Sequence, residues 1–203
     1  MTETLQVAIL AFDDVEALDL AGPYEVFTTA VRMHQRTAAG AAAPFAVYTV
    51  ARDKSPVRMR AGLQMLPDHG FDDAPAVDVL IVPGGVVDGA MACRATLEWL
   101  AHASRSARIT ASVCTGAFLL AASGVLKGDE AVTTHWEDIA DLRGRFPALD
   151  VREGVRWVDR GGIVTSAGIT AGIDMSLHLV ARLAGEPLAL RTARQMDFAW
   201  TRA

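Results

Sequence analysis

Gln6 to Phe12 (QVAILAF) is apolar from its second residue to its last. Asp78 to Gly85 (DVLIVPGG) repeats that pattern, and Arg108 to Val113 (RITASV) follows it more loosely. A strand wet on one face alternates apolar and polar side chains. An unbroken apolar run instead marks a strand covered on both faces, the habit of mainly parallel sheets packed between helices. Few folds accommodate three such strands in one short chain.

The segments between them read as helices, a hairpin and short strands. Pro23 suits the first turn of a helix through about Met33, with Val26, Ala30 and Met33 on one face. Thr37 to Pro44 is a loop, and Phe45 to Val50 a further strand. Val57 to Leu66 alternates loosely, as a small hairpin or extra strand. Ala90 to Ser104 is helical with Leu97 and Leu100 inward. Ala131 to Thr134 is a short strand ahead of a helix from about Glu137 to Arg145. Val155–Asp159 and Ile163–Ser166 flank the hairpin turn Arg160-Gly161-Gly162. Ile169, Ile173, Leu177 and Val180 recur at helical spacing up to a Gly185 cap. Pro187 starts a last helix with Ala189, Ala193, Met196 and Trp200 on one stripe. Strand and helix alternate, with no repeat, low-complexity segment or linker. The expectation is a single α/β domain over residues 1–203, a sandwich with a mainly parallel sheet.

Composition excludes several classes. The net charge is −5 and the basic residues are scattered, so neither a nucleic-acid footprint nor a membrane-binding patch is present. The start, MTETLQVAIL, has no basic region ahead of an apolar one and does not read as a signal peptide. Ile109 to Leu126 is uncharged, but its Ser, Thr and Gly split it into strand, corner and helix rather than a membrane span. Two cysteines, Cys93 and Cys114, in a chain that is 51% hydrophobic point to a reducing cytoplasm, not a disulfide scaffold. His34, His69, His102 and His178 have no ligand spacing and no nucleotide motif occurs, so neither metal nor cofactor is expected.

The chemistry gathers at Cys114. The strand Arg108–Val113 runs into it, and a small-residue helix starts at Thr115 without a loop. A cysteine on such a corner resembles in its mechanics the serine of a G-x-S-x-G elbow. A helix start lowers a thiol pKa. Cys114 is therefore read as a nucleophile and as the one strongly reactive thiol. Ligands of parallel sheets bind beyond the carboxyl ends of the strands. Three segments converge there: Asp13–Gly22, Pro83-Gly84-Gly85 and the Cys114 corner. Cys93, inside a helical segment, reads as a core or interface residue. Asp174, inside an apolar helix, reads as a partner of backbone or loop donors.

Five motifs in order resemble the ThiJ/PfpI superfamily: ALDLAGPYEVF (Ala17–Phe27), DVLIVPGG, SVCTGAFLLAASGVL (Ser112–Leu126), VTTHW (Val132–Trp136) and SAGITAGIDMSL (Ser166–Leu177). They resemble most the branch holding isocyanide hydratases and the amidotransferase-like domains of AraC-type regulators. The resemblance implies a flavodoxin-like three-layer sandwich with a cysteine nucleophile elbow. It implies Cys114 as nucleophile, Asp19 as its acidic partner, and Thr115 as the hydratase threonine. Protease-like members carry histidine at that last position, so peptide cleavage is not expected. Nor does Ser166–Gly172 hold the histidine of an amidotransferase triad. Gly84 and Gly85, with Thr115, are candidates to stabilise developing negative charge through backbone N–H groups. His135 is a structural or pocket residue.

The implied activity is hydration of small organic isocyanides to N-substituted formamides, by a homodimer without cofactor. Two alternatives stay open: a ligand-sensing domain without turnover, and a glyoxalase- or deglycase-like enzyme on reactive carbonyls. AraC-type regulators continue into a helix-turn-helix region, and this chain ends at Ala203, which favours an enzyme acting alone.

Overall fold

The computed structural model describes residues 4–38 and 40–202. Met1 to Glu3 of the N-terminal reading, Ala39 of the Thr37–Pro44 loop and the terminal Ala203 lie outside them. In chain order the elements are β1 (Leu5–Leu10), α1 (Ala17–Thr37), β2 (Phe45–Ala51), β3 (Val57–Arg58), β4 (Gln64–Met65), β5 (His69–Gly70), β6 (Val79–Val82), α2 (Asp88–Ala92), α3 (Arg94–Ser106), β7 (Ile109–Val113), α4 (Gly116–Ala122), β8 (Ala131–Val132), α5 (Ile139–Arg145), β9 (Asp150–Val151), β10 (Trp157–Asp159), β11 (Ile163–Ser166), α6 (Thr170–Ala184) and α7 (Glu186–Gln195).

The main sheet has the order β10-β11-β7-β6-β1-β2-β5. Its pairs are parallel except β10 with β11, the hairpin expected around Gly161. All side chains of β6 and β7 are buried, as the unbroken apolar runs require. Helices α1, α6 and α7 pack together on one side, and α2, α3 and α4 on the other. This is the three-layer α/β sandwich with a mainly parallel sheet. β3 and β4 form the small antiparallel hairpin expected within Val57–Leu66. The uncharged Ile109–Leu126 stretch divides into β7, a corner and α4, and among the described residues no helix is long and apolar enough to cross a membrane.

Several local expectations need correction. α1 begins at Ala17, so Pro23 lies inside it and not at its first turn. Its missing N–H leaves the Asp19 carbonyl without its i+4 donor, a tolerable loss this close to the helix start. The segment read as one helix from Ala90 breaks at Cys93, whose φ of −85° and ψ of 101° are extended. In α3 the buried positions are Thr96, Leu100 and Ala103, and Leu97 is only half-buried. α7 ends at Gln195, so Met196 and Trp200 extend no helical stripe. Instead Trp200 Nε1 donates to the Asp174 carbonyl at 3.1 Å. The Thr201 N–H donates to Asp174 Oδ1 at 2.7 Å, while Arg156 Nε donates to Oδ2 at 2.6 Å. Asp174 thus has the donor-satisfying role expected of it, with the C-terminal tail as one of its donors. β5 and β9 are too short to show a period in sequence, whereas β8 falls within the short strand expected at Ala131–Thr134.

Candidate active site

From β1 the sheet grows to β2 on one side, and the chain later returns to place β6 on the other. Such a reversal opens a crevice beyond the carboxyl ends of the strands. The loops after β1 and β6 are stitched together there. The Glu16 N–H donates to the Gly84 carbonyl at 2.8 Å and the Val86 N–H to the Asp14 carbonyl at 3.0 Å. Gly85 is needed for this approach. Its φ is 142°, and a Cβ would lie 2.3 Å from the Asp14 oxygen.

The stitching fixes Asp19, three residues on, in the first turn of α1 and not in the loop. Asp19 is fully buried. Its Oδ2 accepts from the Gly84 N–H at 3.2 Å. The Cys114 thiol and the Ile169 N–H are further polar neighbours. They stand at looser geometry, so among the described residues Oδ1 has no close, well-aligned donor. Burial pushes the Asp19 pKa up to about 6, against the opposing pull of Cys114 and Gly84.

Cys114 sits on the corner between β7 and α4 with a φ of 56°, a left-handed conformation rare for a side-chain-bearing residue. The surroundings hold it there. Its N–H donates to the Ser166 and Ala167 carbonyls at 3.1 and 3.3 Å. Its carbonyl accepts from Thr134 Oγ1 at 2.9 Å. Gly116 lets α4 abut the sheet, since a Cβ there would lie 2.1 Å from the Val82 oxygen.

At Cys114 the pull of the helix start on the pKa is outweighed. Burial pushes it up, the Asp19 charge adds to that, and only the Thr115 N–H opposes them. α4 has seven residues and a weak field, whereas two adjacent buried anions repel strongly. Near neutrality the pair therefore holds one proton between thiol and carboxylate. Cys93 is the reverse case. It is half-buried at the start of α3, where the Thr96 hydroxyl, then the Thr96 and Ala95 N–H groups, pull its pKa down. The surroundings of Cys93 therefore favour its thiolate, whereas those of Cys114 oppose it. Cys93 lines a separate hollow of about 290 Å³ with Asp13 and Arg52, and neither Cys114 nor Asp19 reaches that space.

Thr115 is buried, and its hydroxyl accepts from the Gly85 N–H at 2.8 Å while lying 2.9 Å from the Gly85 carbonyl, to which it donates. The N–H groups of Gly84 and Gly85 are thus already engaged, by Asp19 and by Thr115. The charge-stabilising role expected of them is not open in this arrangement. Of that trio only the Thr115 N–H is directed at the sulfur. Gly84 is instead required for space: a Cβ would lie 2.5 Å from both Thr115 N and Oγ1.

Cys114, Thr115, Gly85 and His135 line one cavity of about 320 Å³, enough for a small molecule. His135 is part of the cavity lining. Its ring packs on Gly168, where a Cβ would lie 2.1 Å from Cδ2. Its Nδ1 lies 3.4 Å from Asp138 Oδ2, so it turns to that carboxylate. Glu16, Arg60, Phe118, Asp138, Arg145 and Ile169 complete much of the wall. Asp138 and Arg145 cap and end the one helix α5, and the other four come from four further segments distant in the chain. Ile169, with φ 53°, is strained like Cys114. Thr134, the buttress of Cys114, carried a signal only as part of VTTHW.

Comparisons with known proteins agree with this architecture. The chain is 37% identical over 198 residues to an isonitrile hydratase of Pseudomonas putida, covering 96% of this chain and 79% of that protein. It is 33% identical over 183 residues to the HTH-type transcriptional regulator GbdR of Pseudomonas aeruginosa, covering 90% of this chain but only 48% of the regulator. A solved ThiJ/PfpI family protein from Pseudomonas syringae superposes with a TM-score of 0.83 at 31% identity, over 99% of this chain and 78% of that one. The sequence profile of the DJ-1/PfpI family matches residues 5–182. With its mainly parallel sheet flanked by helices and its cysteine at a strand–helix turn, the chain belongs to the DJ-1/PfpI family.

Proposed function

We propose that this protein is a cysteine-dependent hydratase that converts small organic isocyanides to N-substituted formamides. The observation that carries the reading is the buried Asp19 carboxyl against the Cys114 thiol, in a chain 37% identical to an isonitrile hydratase. The isocyanide carbon is electrophilic but has no leaving group. Asp19 takes the thiol proton as sulfur attacks that carbon, forming the S–C bond. The same carboxyl returns the proton to the carbon, which gives a thioimidate, R–N=CH–S–Cys114. Water then adds to that carbon, the C–S bond breaks, nitrogen gains a proton, and the formamide leaves with the thiol restored. A carboxyl with a pKa of about 6 is well matched to giving and taking protons near neutrality. The Thr115 N–H steadies the sulfur when it carries charge. No amine departs, so no histidine acid is needed, and His135 is left to Asp138.

A second reading has its own support: the regulator relatives and the raised Cys114 pKa fit a ligand-sensing domain without turnover. The whole chain as one domain, a homodimer and a cytoplasmic location remain part of the proposal. The test is turnover of several alkyl and aryl isocyanides, with product identified by NMR. Formamide that survives EDTA and vanishes in Cys114→Ser supports the hydratase. Tight binding of an isocyanide with no product assigns the sensor role, and Cys114-dependent consumption of methylglyoxal assigns the carbonyl enzyme.

A further inference from the structure

We propose that the Cys114 cavity sorts its substrates by charge, favouring small electrophiles that carry a protonated amine or quaternary ammonium group over neutral ones, and rejecting anions. The inference rests on Cys114 being the reacting atom.

The cavity wall holds five carboxylates, from Glu16, Asp88, Glu137, Asp138 and Asp141, against two guanidiniums, from Arg60 and Arg145. Both guanidiniums already face carboxylates. Arg60 lies 3.7 Å from Glu16, and Arg145 3.9 Å from Asp88 while its guanidinium stands over the Phe118 ring. The surplus negative charge is therefore concentrated on one side, in the turn and first helical residues after His135. Exposure ranks these groups. The Glu137 side chain is 63% exposed and well screened, whereas Asp138 is 34% exposed and its charge is felt at the Cys114 sulfur. Among the described residues only His135 pairs with Asp138 as a counterion, and its charge depends on protonation.

A cleft lined by one sign of charge raises the local concentration of the opposite sign. No unpaired guanidinium lines this cavity among the described residues, so an anionic group entering it gains no partner to offset its desolvation.

The test reads Cys114 directly, in a Cys93→Ser background so that one thiol reports. Two methanethiosulfonates of similar size, one ending in trimethylammonium and one in sulfonate, each form a mixed disulfide with Cys114 and release methanesulfinate. The expected ratio of cationic to anionic rate is about tenfold above that of a free thiol, the lower end of such focusing. It should shrink in high salt and fall in Asp138→Asn, with Glu137→Gln/Asp141→Asn as a second variant that leaves His135 its nearer partner. A ratio equal to that of a free thiol, or one unmoved in both variants, overturns the proposal. Cationic, neutral and anionic isocyanides are then ranked by kcat/KM, with the same order expected. A preserved labelling ratio with no turnover of any isocyanide rejects the hydratase reading and leaves the charge selection standing. Turnover that favours the anionic isocyanide does the reverse.

Discussion

Replacing Asp19 with Asn should stabilise the protein while disabling it. The carboxyl is fully buried, and its pKa rises from 3.8 to about 6 because burial disfavours the charged form. A folded-state pKa above the unfolded one means that the native protein binds a proton that the unfolded chain releases. Stability therefore falls as pH rises from about 4 to about 6, and the full penalty stands above that window. Roughly two units at 1.36 kcal/mol each make the penalty about 3 kcal/mol. Asn removes it but brings an amide N–H₂ with few acceptors nearby, so a gain of about 2 kcal/mol is expected at pH 8. For a chain of this size that is roughly 4–8 °C in Tm. At pH 4 the native wild type is already protonated and the gain should largely disappear. Turnover should drop at least about a hundredfold, and the Cys114 pKa should fall with its charged neighbour gone. Paired thermal melts of wild type and variant across pH 4 to 8 read the effect. A variant no more stable than wild type at pH 8, or equally stabilised at pH 4, would refute the argument that Asp19 is a buried, destabilising charge.

Gly84→Ala should lose turnover by about a hundredfold or more, since its Cβ would meet Thr115 N and Oγ1 at 2.5 Å and Asp19 Oδ2 at 3.0 Å. Its stability cost should stay near 1–3 kcal/mol, and wild-type kinetics would show that the close approach is not needed. Substoichiometric iodoacetamide at neutral pH should label Cys93 before Cys114, mapped by peptide mass, because the surroundings of Cys93 favour its thiolate and those of Cys114 oppose it. Labelling of Cys114 first would mean that it gives its proton up to Asp19 at rest. Casein and fluorogenic peptides should remain intact, and hydrolysis lost in Cys114→Ala would revive a protease reading.

The parallel sheet was legible because its strands are covered on both faces and so cannot alternate. The hairpin around Gly161 was legible because its turn chemistry is local. Cys114 could be picked out for the same reason: a strand running into a small-residue helix leaves one residue for the corner. Asp19, by contrast, was reached through resemblance, since an acidic residue after a strand is by itself as consistent with a wet loop as with a buried carboxyl. Only the tertiary structure places it in α1, under the Gly84 N–H and beside the thiol. The same holds for the break at Cys93, the return of the tail to Asp174 and the engagement of the Gly84 and Gly85 N–H groups. Sequence determined which residues prefer strand, helix or turn, because those preferences act over a few neighbours. Packing decided which charges lose their water and which N–H groups are already taken, because both depend on segments distant in the chain. Those two quantities set the protonation of Asp19 and Cys114.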